Sequence, residues 1–201
     1  MIQSKQLVIL TLILAMFLAS CGLAKAGDKS SQDAFDDLAA HLALDDIASG
    51  LAMNHSGRYG EAIKRFTRAI KSGRLSPDNL AIAYNNRANA HLDKGDVGKA
   101  AQDYNRAILA APNFTHALYN RGILNYQLKR YRDSLKDFTK VIELDPNYAA
   151  AYFNRSFPLL ELKKAARAEA DLKKAISLDP LNHKYQARLF KIQEIRKDSK
   201  N

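Results

Sequence analysis

A chain of 201 residues, 47% hydrophobic and 26% charged, holds enough apolar material for one compact domain or one short repeat array. Its single cysteine excludes a disulfide within the chain. The net charge of +10 is unevenly placed: residues 28–46 carry six acids against Lys29, while from Ile47 onward 28 Lys and Arg face 15 Asp and Glu. A basic body suits an acidic partner or an anionic surface, but no long Lys/Arg run forms the patch that nucleic acid needs.

The first residues predict export. Lys5 supplies a positive start, and Leu7 to Phe17 is apolar throughout except for Thr11, a run too short for an ordinary membrane span. Leu18-Ala19-Ser20-Cys21 follows at once and resembles the lipobox of bacterial lipoproteins. The resemblance implies cleavage after residue 20 and lipidation of Cys21. Ala24-Lys25-Ala26 offers a second cleavage site, which would make residues 1–26 the signal peptide and release a soluble protein. A lipid anchor adds about 0.8 kcal/mol per buried methylene, so several acyl chains would hold the protein on a membrane. Residues 21–32 then read as the lipidated cysteine and a flexible tether, poor in residues to bury.

Beyond the tether the chain repeats. Residues 33–80 read as a degenerate first unit. Its first helix has a stripe of Phe35, Leu38, Leu42, Ile47 and Leu51, and Gly57-Arg58-Tyr59 makes the turn. Its second helix runs from Glu61 to Lys71 with Ala62, Ile63, Phe66, Ala69 and Ile70 on one side. Four extra residues within 72–80, with Gly73 and Pro77, read as loop. Three regular units follow at 81–114, 115–148 and 149–182, with a period of 34 residues. Asn-Arg recurs at Asn86-Arg87, Asn120-Arg121 and Asn154-Arg155, and Pro112, Pro146 and Pro180 close the units.

Within each unit a small residue (Ala88, Gly122, Ser156) lets two helices approach. A second small residue (Ala100, Ser134, Ala168) precedes a large one (Tyr104, Phe138, Leu172). This pattern resembles the tetratricopeptide repeat. The resemblance implies an all-α fold, a short α-solenoid of helix-turn-helix repeats, with residues 183–201 as a C-terminal capping helix. Lys184 to Lys197 places Tyr185, Leu189, Ile192 and Arg196 at helical spacing, and Lys184, Arg188, Lys191 and Lys197 read as the polar outer face. His91 and Asn125 depart from the Tyr usual in the family at their position.

Two features need physical accounts. Arg87, Arg121 and Arg155 stand where the repeat is packed, and an unpaired charge there is costly. Asp103, Asp137 and Asp171 each follow 16 residues later, which predicts structural ion pairs; an anion-binding arginine row is the alternative. In the first unit Ser49 and Arg65 occupy these positions, so the pair is expected to be missing there. Pro158 falls inside a first helix, which predicts a kink or a late start.

No catalytic site declares itself, and the chain reads as no enzyme. The histidines His41, His55, His91, His116 and His183 form no i, i+4 pair, so neither a metal nor a cofactor is expected. The resemblance instead implies a concave groove lined by the first helices. The positions that line it are Asn85, Asn86 and Asn89, then Tyr119, Asn120, Ile123 and Tyr126, then Phe153, Asn154 and Phe157. Asn donates and accepts together, which suits an extended peptide backbone, and the aromatic residues supply anchors. The expected function is a protein-interaction scaffold, lipid-anchored in a bacterial envelope and facing the periplasm, or soluble after cleavage, with a protein partner and no nucleic acid. Two alternatives stand beside it: a binder of cell-wall or other anionic polymer through the basic surface, and an architectural protein that self-associates into homo-oligomers.

Overall fold

The computed structural model describes residues 29–198. Cys21, the signal segment and the start of the tether lie outside the described residues. All described secondary structure is helical: α1 (Lys29–His55), α2 (Tyr59–Lys71), α3 (Pro77–Asp93), α4 (Val97–Ala110), α5 (Thr115–Gln127), α6 (Tyr131–Leu144), α7 (Ala149–Glu161), α8 (Ala165–Leu178) and α9 (His183–Asp198). The chain divides into two compact units, 1–79 and 80–201, with the division inside the first turn of α3.

The first unit is the antiparallel pair α1 and α2. Helix α1 begins at Lys29, so residues 29–32, read as tether, belong to its first turn. The face that packs overlaps the predicted stripe at Ile47, with Leu38 and Leu51 half-buried, but turns away from Phe35 and Leu42. Ala43, Asp46, Ile47 and Gly50 are buried, whereas Phe35 and Leu42 are 40% and 55% exposed. The reason is closeness of approach. A Cβ on Gly50 would lie 2.7 Å from the Phe66 ring, so the helices meet on the small-residue side rather than the large-residue side. On α2, Ala62, Phe66 and Ala69 are buried, with Ile63 and Ile70 half-buried beside them. Gly57 takes φ +73°, the left-handed conformation that ends α1 and that glycine adopts without a Cβ clash.

Residues 72–80 are not all loop. Gly73 has φ +66° and makes the turn after α2, but Pro77 opens α3. Ser76 Oγ accepts from the Asn79 N–H at 3.3 Å, an N-cap followed by proline at the first helical position. The extra residues therefore lengthen α3 to 17 residues, where α5 and α7 have 13.

The second unit stacks the hairpins α3/α4, α5/α6 and α7/α8 and ends on α9. Tyr104, Phe138 and Leu172 are fully buried: Tyr104 clusters with Ala88 and Ala100, Phe138 lies against Gly122, and Leu172 clusters with Ala168. Gly122 shows why such a residue is small: a Cβ there would sit 2.9 Å from the Phe138 ring. The three hairpin turns share one bond, from Asp96 N–H to His91 O, Arg130 N–H to Asn125 O and Lys164 N–H to Leu159 O, all between 2.7 and 2.8 Å. They differ in the left-handed residue that precedes it: Gly95 in the first, Lys129 and Lys163 (both φ 58°) in the others.

Pro158 neither shortens nor delays α7. The helix runs from Ala149 through Phe157 and Pro158 to Glu161, with Pro158 buried beside Leu159. Having no N–H, the proline cannot bond the Asn154 carbonyl four residues back, and packing carries the helix across that gap. Helix α9 buries Tyr185 and Ile192 and brings Leu189 against Leu159 and Leu172. Arg188 does not join Lys184 and Lys191 on the outer face. Its guanidinium lies over the Phe157 ring, 4.3 Å from the centroid, while Phe190 is the exposed apolar residue.

Candidate functional site

The three arginines of the regular hairpins each grip one aspartate with two parallel bonds. Arg87 donates from Nε and Nη2 to Asp103 at 2.7 and 2.8 Å, Arg121 to Asp137 at 3.0 and 2.6 Å, and Arg155 to Asp171 at 2.8 and 2.8 Å. Arg121 Nη1 also donates to Asn105 Oδ1 at 2.8 Å, and Arg155 Nη1 to Thr139 Oγ1 at 3.2 Å. This geometry uses the whole fork of each guanidinium inside the fold. Asn125, at a position where the family usually has Tyr, donates to Asp137 at 3.0 Å. His91 takes the same place in the first hairpin; burial holds its pKa below 6.5 despite the Asp96 carboxylate 3.4 Å away.

The first unit also has its ion pair, which the fixed spacing did not foresee. Asp46 on α1 accepts from Arg65 at 3.1 Å and from both Nε and Nη2 of Arg68. The carboxylate is on the first helix and the cations on the second, the reverse of the regular copies. The signal in the sequence is Asp46 at the edge of an apolar stretch, where a carboxylate faces the packed side of the helix.

Apart from Asn86, the groove candidates form a band on α3, α5 and α7. Asn120 Nδ2 donates back to Asn85 Oδ1 at 3.0 Å and lies 3.5 Å from Asn89 Oδ1. Tyr104 donates its hydroxyl proton to Asn89 Oδ1 at 2.5 Å, and burial pushes that hydroxyl's pKa far up, so it stays a donor. Asn154 Nδ2 donates to Tyr119 Oη at 2.6 Å. Burial, with nearby Tyr148 and Tyr185, pushes the Tyr119 pKa up to about 12. Asn86 turns away from this band and donates to its own helix at Ile82 O, 2.8 Å. Asn85 is buried at 5% exposure, so it is as much a strut as a contact.

The open edges of these amides define what the band offers. Nδ2 of Asn85 and Asn89, and Oδ1 of Asn120 and Asn154, have no partner within the described residues and are not sealed from solvent. Aromatic rings continue the band toward α9. Tyr126 and Phe157 meet edge-on at 5.6 Å, Phe153 and Phe157 at 5.2 Å, and Phe153 lies 4.7 Å from Tyr185. Ile123 is half-buried between the amide and aromatic ends. Among the described residues no group of His, Cys, Asp and Glu is placed to hold a metal ion.

Known proteins give the arrangement a family. The tetratricopeptide repeat matches residues 55–114, 116–148 and 149–180. In Drosophila melanogaster, a DNA polymerase interacting tetratricopeptide repeat-containing protein of 47 kDa is 31% identical over 110 residues. The match covers 55% of this chain and 27% of that protein, so the chain spans about a quarter of that relative's length. The first TPR of Spaghetti bound to HSP90 peptide SRMEEVD superposes with a TM-score of 0.57 at 23% identity, covering 59% of this chain and 94% of that one. YrrB, a TPR protein with an unusual peptide-binding site, superposes with a TM-score of 0.62 at 21% identity, covering 73% of each chain. With the 34-residue period, the small-to-large packing pairs and these matches together, the chain belongs to the tetratricopeptide repeat proteins.

Proposed function

We propose that this protein is an interaction scaffold that holds an extended segment of a partner protein along α3, α5 and α7. The observation that carries this reading is the set of open amide edges beside an aromatic shelf. The Asn85 and Asn89 donors suit backbone carbonyls, the Asn120 and Asn154 acceptors suit backbone N–H groups, and Tyr126, Phe153 and Phe157 offer an apolar seat. The peptide-bound and peptide-binding solved relatives support it as analogy of fold. The Arg–Asp pairs are structural in this reading, because the Nε and Nη2 donors of each arginine are spent on the carboxylate of its aspartate. The charged start, the apolar run and Cys21 support a place in the bacterial envelope, anchored by lipid and facing the periplasm.

A benzophenone amino acid placed at Ile123 should photo-crosslink one protein in intact cells, while the same group at Leu109, exposed on α4, should not. Crosslinks from Leu109 alone would move the site off the groove. A crosslink to a second copy of this chain would favour self-association. In the same cells, Cys21→Ser should shift the protein from the membrane fraction to the soluble fraction; unchanged fractionation would remove the lipid anchor from the reading.

A further inference from the structure

The capping helix continues the groove. Arg188 falls 34 residues after Asn154, in the row Asn86, Asn120, Asn154. The structure places it accordingly. Asn120 sits against Asn85 and Asn89, residues 35 and 31 positions earlier on the preceding first helix. Asn154 repeats the first of these contacts with Tyr119. The positions that correspond for Arg188 are Phe153 and Phe157, and its guanidinium lies over Phe157.

One consequence follows from side-chain chemistry. Asn120 and Asn154 each find an acceptor oxygen on the helix before them. Phe153 has none. Arg188 Nε is accordingly buried with no hydrogen-bond partner, and no carboxylate among the described residues pairs with the guanidinium. A buried donor without an acceptor is costly. Nε itself is sealed, so the edge open to a ligand is the one formed by Nη1 and Nη2, neither of which is sealed from solvent or has a partner among the described residues. That edge matches a carboxylate in two parallel bonds.

We propose that Arg188 is a specificity-determining contact of the groove: it takes the side-chain carboxylate of an Asp or Glu in the bound segment, next to an apolar residue seated on Phe157 and Tyr126. This rests on the groove reading above. The remaining groove candidates are uncharged, so Arg188 fixes the direction and register in which a segment lies. A side chain rather than a chain end is assigned because the amides of the row address a backbone that continues past Asn154, and the cation is the next member of the same row.

The test uses random segments of about nine residues, enough at about 3.3 Å each to cross three interhelical steps of about 9 Å. They are displayed between Gly-Ser flanks, so that no free end is present, and selected on the purified protein. The expected result is an acid at one fixed position beside an apolar residue. Replacing that acid by its amide in the synthetic peptide should weaken binding roughly tenfold on the unaltered protein and not at all on Arg188→Gln, the signature of direct coupling. Arg188→Lys should keep part of the effect, since it retains charge without the fork. The acid-to-amide comparison on the unaltered protein stands even if Arg188→Gln misfolds. Selected segments with no fixed acid, or an acid whose effect persists on a folded Arg188→Gln, would overturn the role of Arg188 and leave the groove intact. A carboxylate selected only from a parallel library with free C-termini would overturn the side-chain assignment. No segment selected at all would sink the groove reading itself.

Discussion

The α1/α2 hairpin and the α5/α6 hairpin solve one problem with opposite signs. In α5/α6 the guanidinium comes from the first helix and the carboxylate from the second, and both are largely enclosed: Arg121 is 25% exposed and Asp137 3%. In α1/α2 the carboxylate comes from the first helix, and only it is enclosed. Asp46 is 4% exposed, while Arg65 and Arg68 are 38% and 67% exposed. The packed space between two helices therefore demands that a buried charge be matched, but it does not dictate which helix supplies which sign. Where both partners are enclosed, each depends on the other; where only the acid is enclosed, its cations keep water as an alternative.

That contrast makes Asp137→Ala the most damaging single change of the comparison. It strips the acceptor from Arg121 and Asn125 together and should cost about 3–5 kcal/mol in denaturant unfolding. Asp46→Ala should cost clearly less, because Arg65 and Arg68 can turn outward. Equal losses in the two variants would show that exposure of the cations is irrelevant.

Acid should separate the α1/α2 hairpin from the α3/α4 hairpin, where His91 stands in the place that Asn125 takes in α5/α6. Burial alone would raise the Asp46 pKa, but hydrogen bonds from Arg68 and Arg65 outweigh it and hold the carboxyl below 3.8. A lowered acid contributes stability that is present above 3.8 and lost as pH falls through its folded value. His91 is also lowered, from 6.5, by burial. The unfolded chain then binds the proton first, so this contribution is in place above 6.5 and is lost as pH falls from 6.5 toward the folded value. His91→Asn, copying Asn125, should flatten the loss of stability between about pH 7 and 5 while leaving the more acidic Asp46 transition in place. A slope that survives this change would clear His91.

The smallest effect concerns the turns. Gly95 and Lys129 hold the same left-handed position, and only the lysine carries a Cβ there. Lys129→Gly should stabilise the protein by up to about 1 kcal/mol, reduced by the freedom glycine adds to the unfolded chain. A destabilised variant would mean that the lysine side chain contributes packing that outweighs its backbone strain.

Much of the fold is legible because a repeat writes its packing rule several times. Three copies of small residue, small residue, large residue and proline are enough to place α3 through α8, and three copies of Arg and Asp 16 apart name the partners that meet. Legibility fails where the rule is written once. Phe35 and Leu42 look like a core stripe, yet α1 packs on Ala43 and Gly50 because Phe66 needs the space. Pro77 looks like loop because proline often is, yet Ser76 caps a helix that begins there. Arg188 looks like surface because it is charged, although the 34-residue period already put it in the row of Asn86, Asn120 and Asn154.

By itself, then, the sequence determined the class of object: period, helix pairing and the identity of the regular ion pairs follow from spacing, since spacing fixes which residues share a helical face. Only the tertiary structure decided which face of α1 is buried, which sign each helix contributes in the first hairpin, and which polar edges along α3, α5, α7 and α9 stay open. Those depend on how closely two helices can approach and on which neighbour holds an acceptor, and both are settled between helices rather than within one.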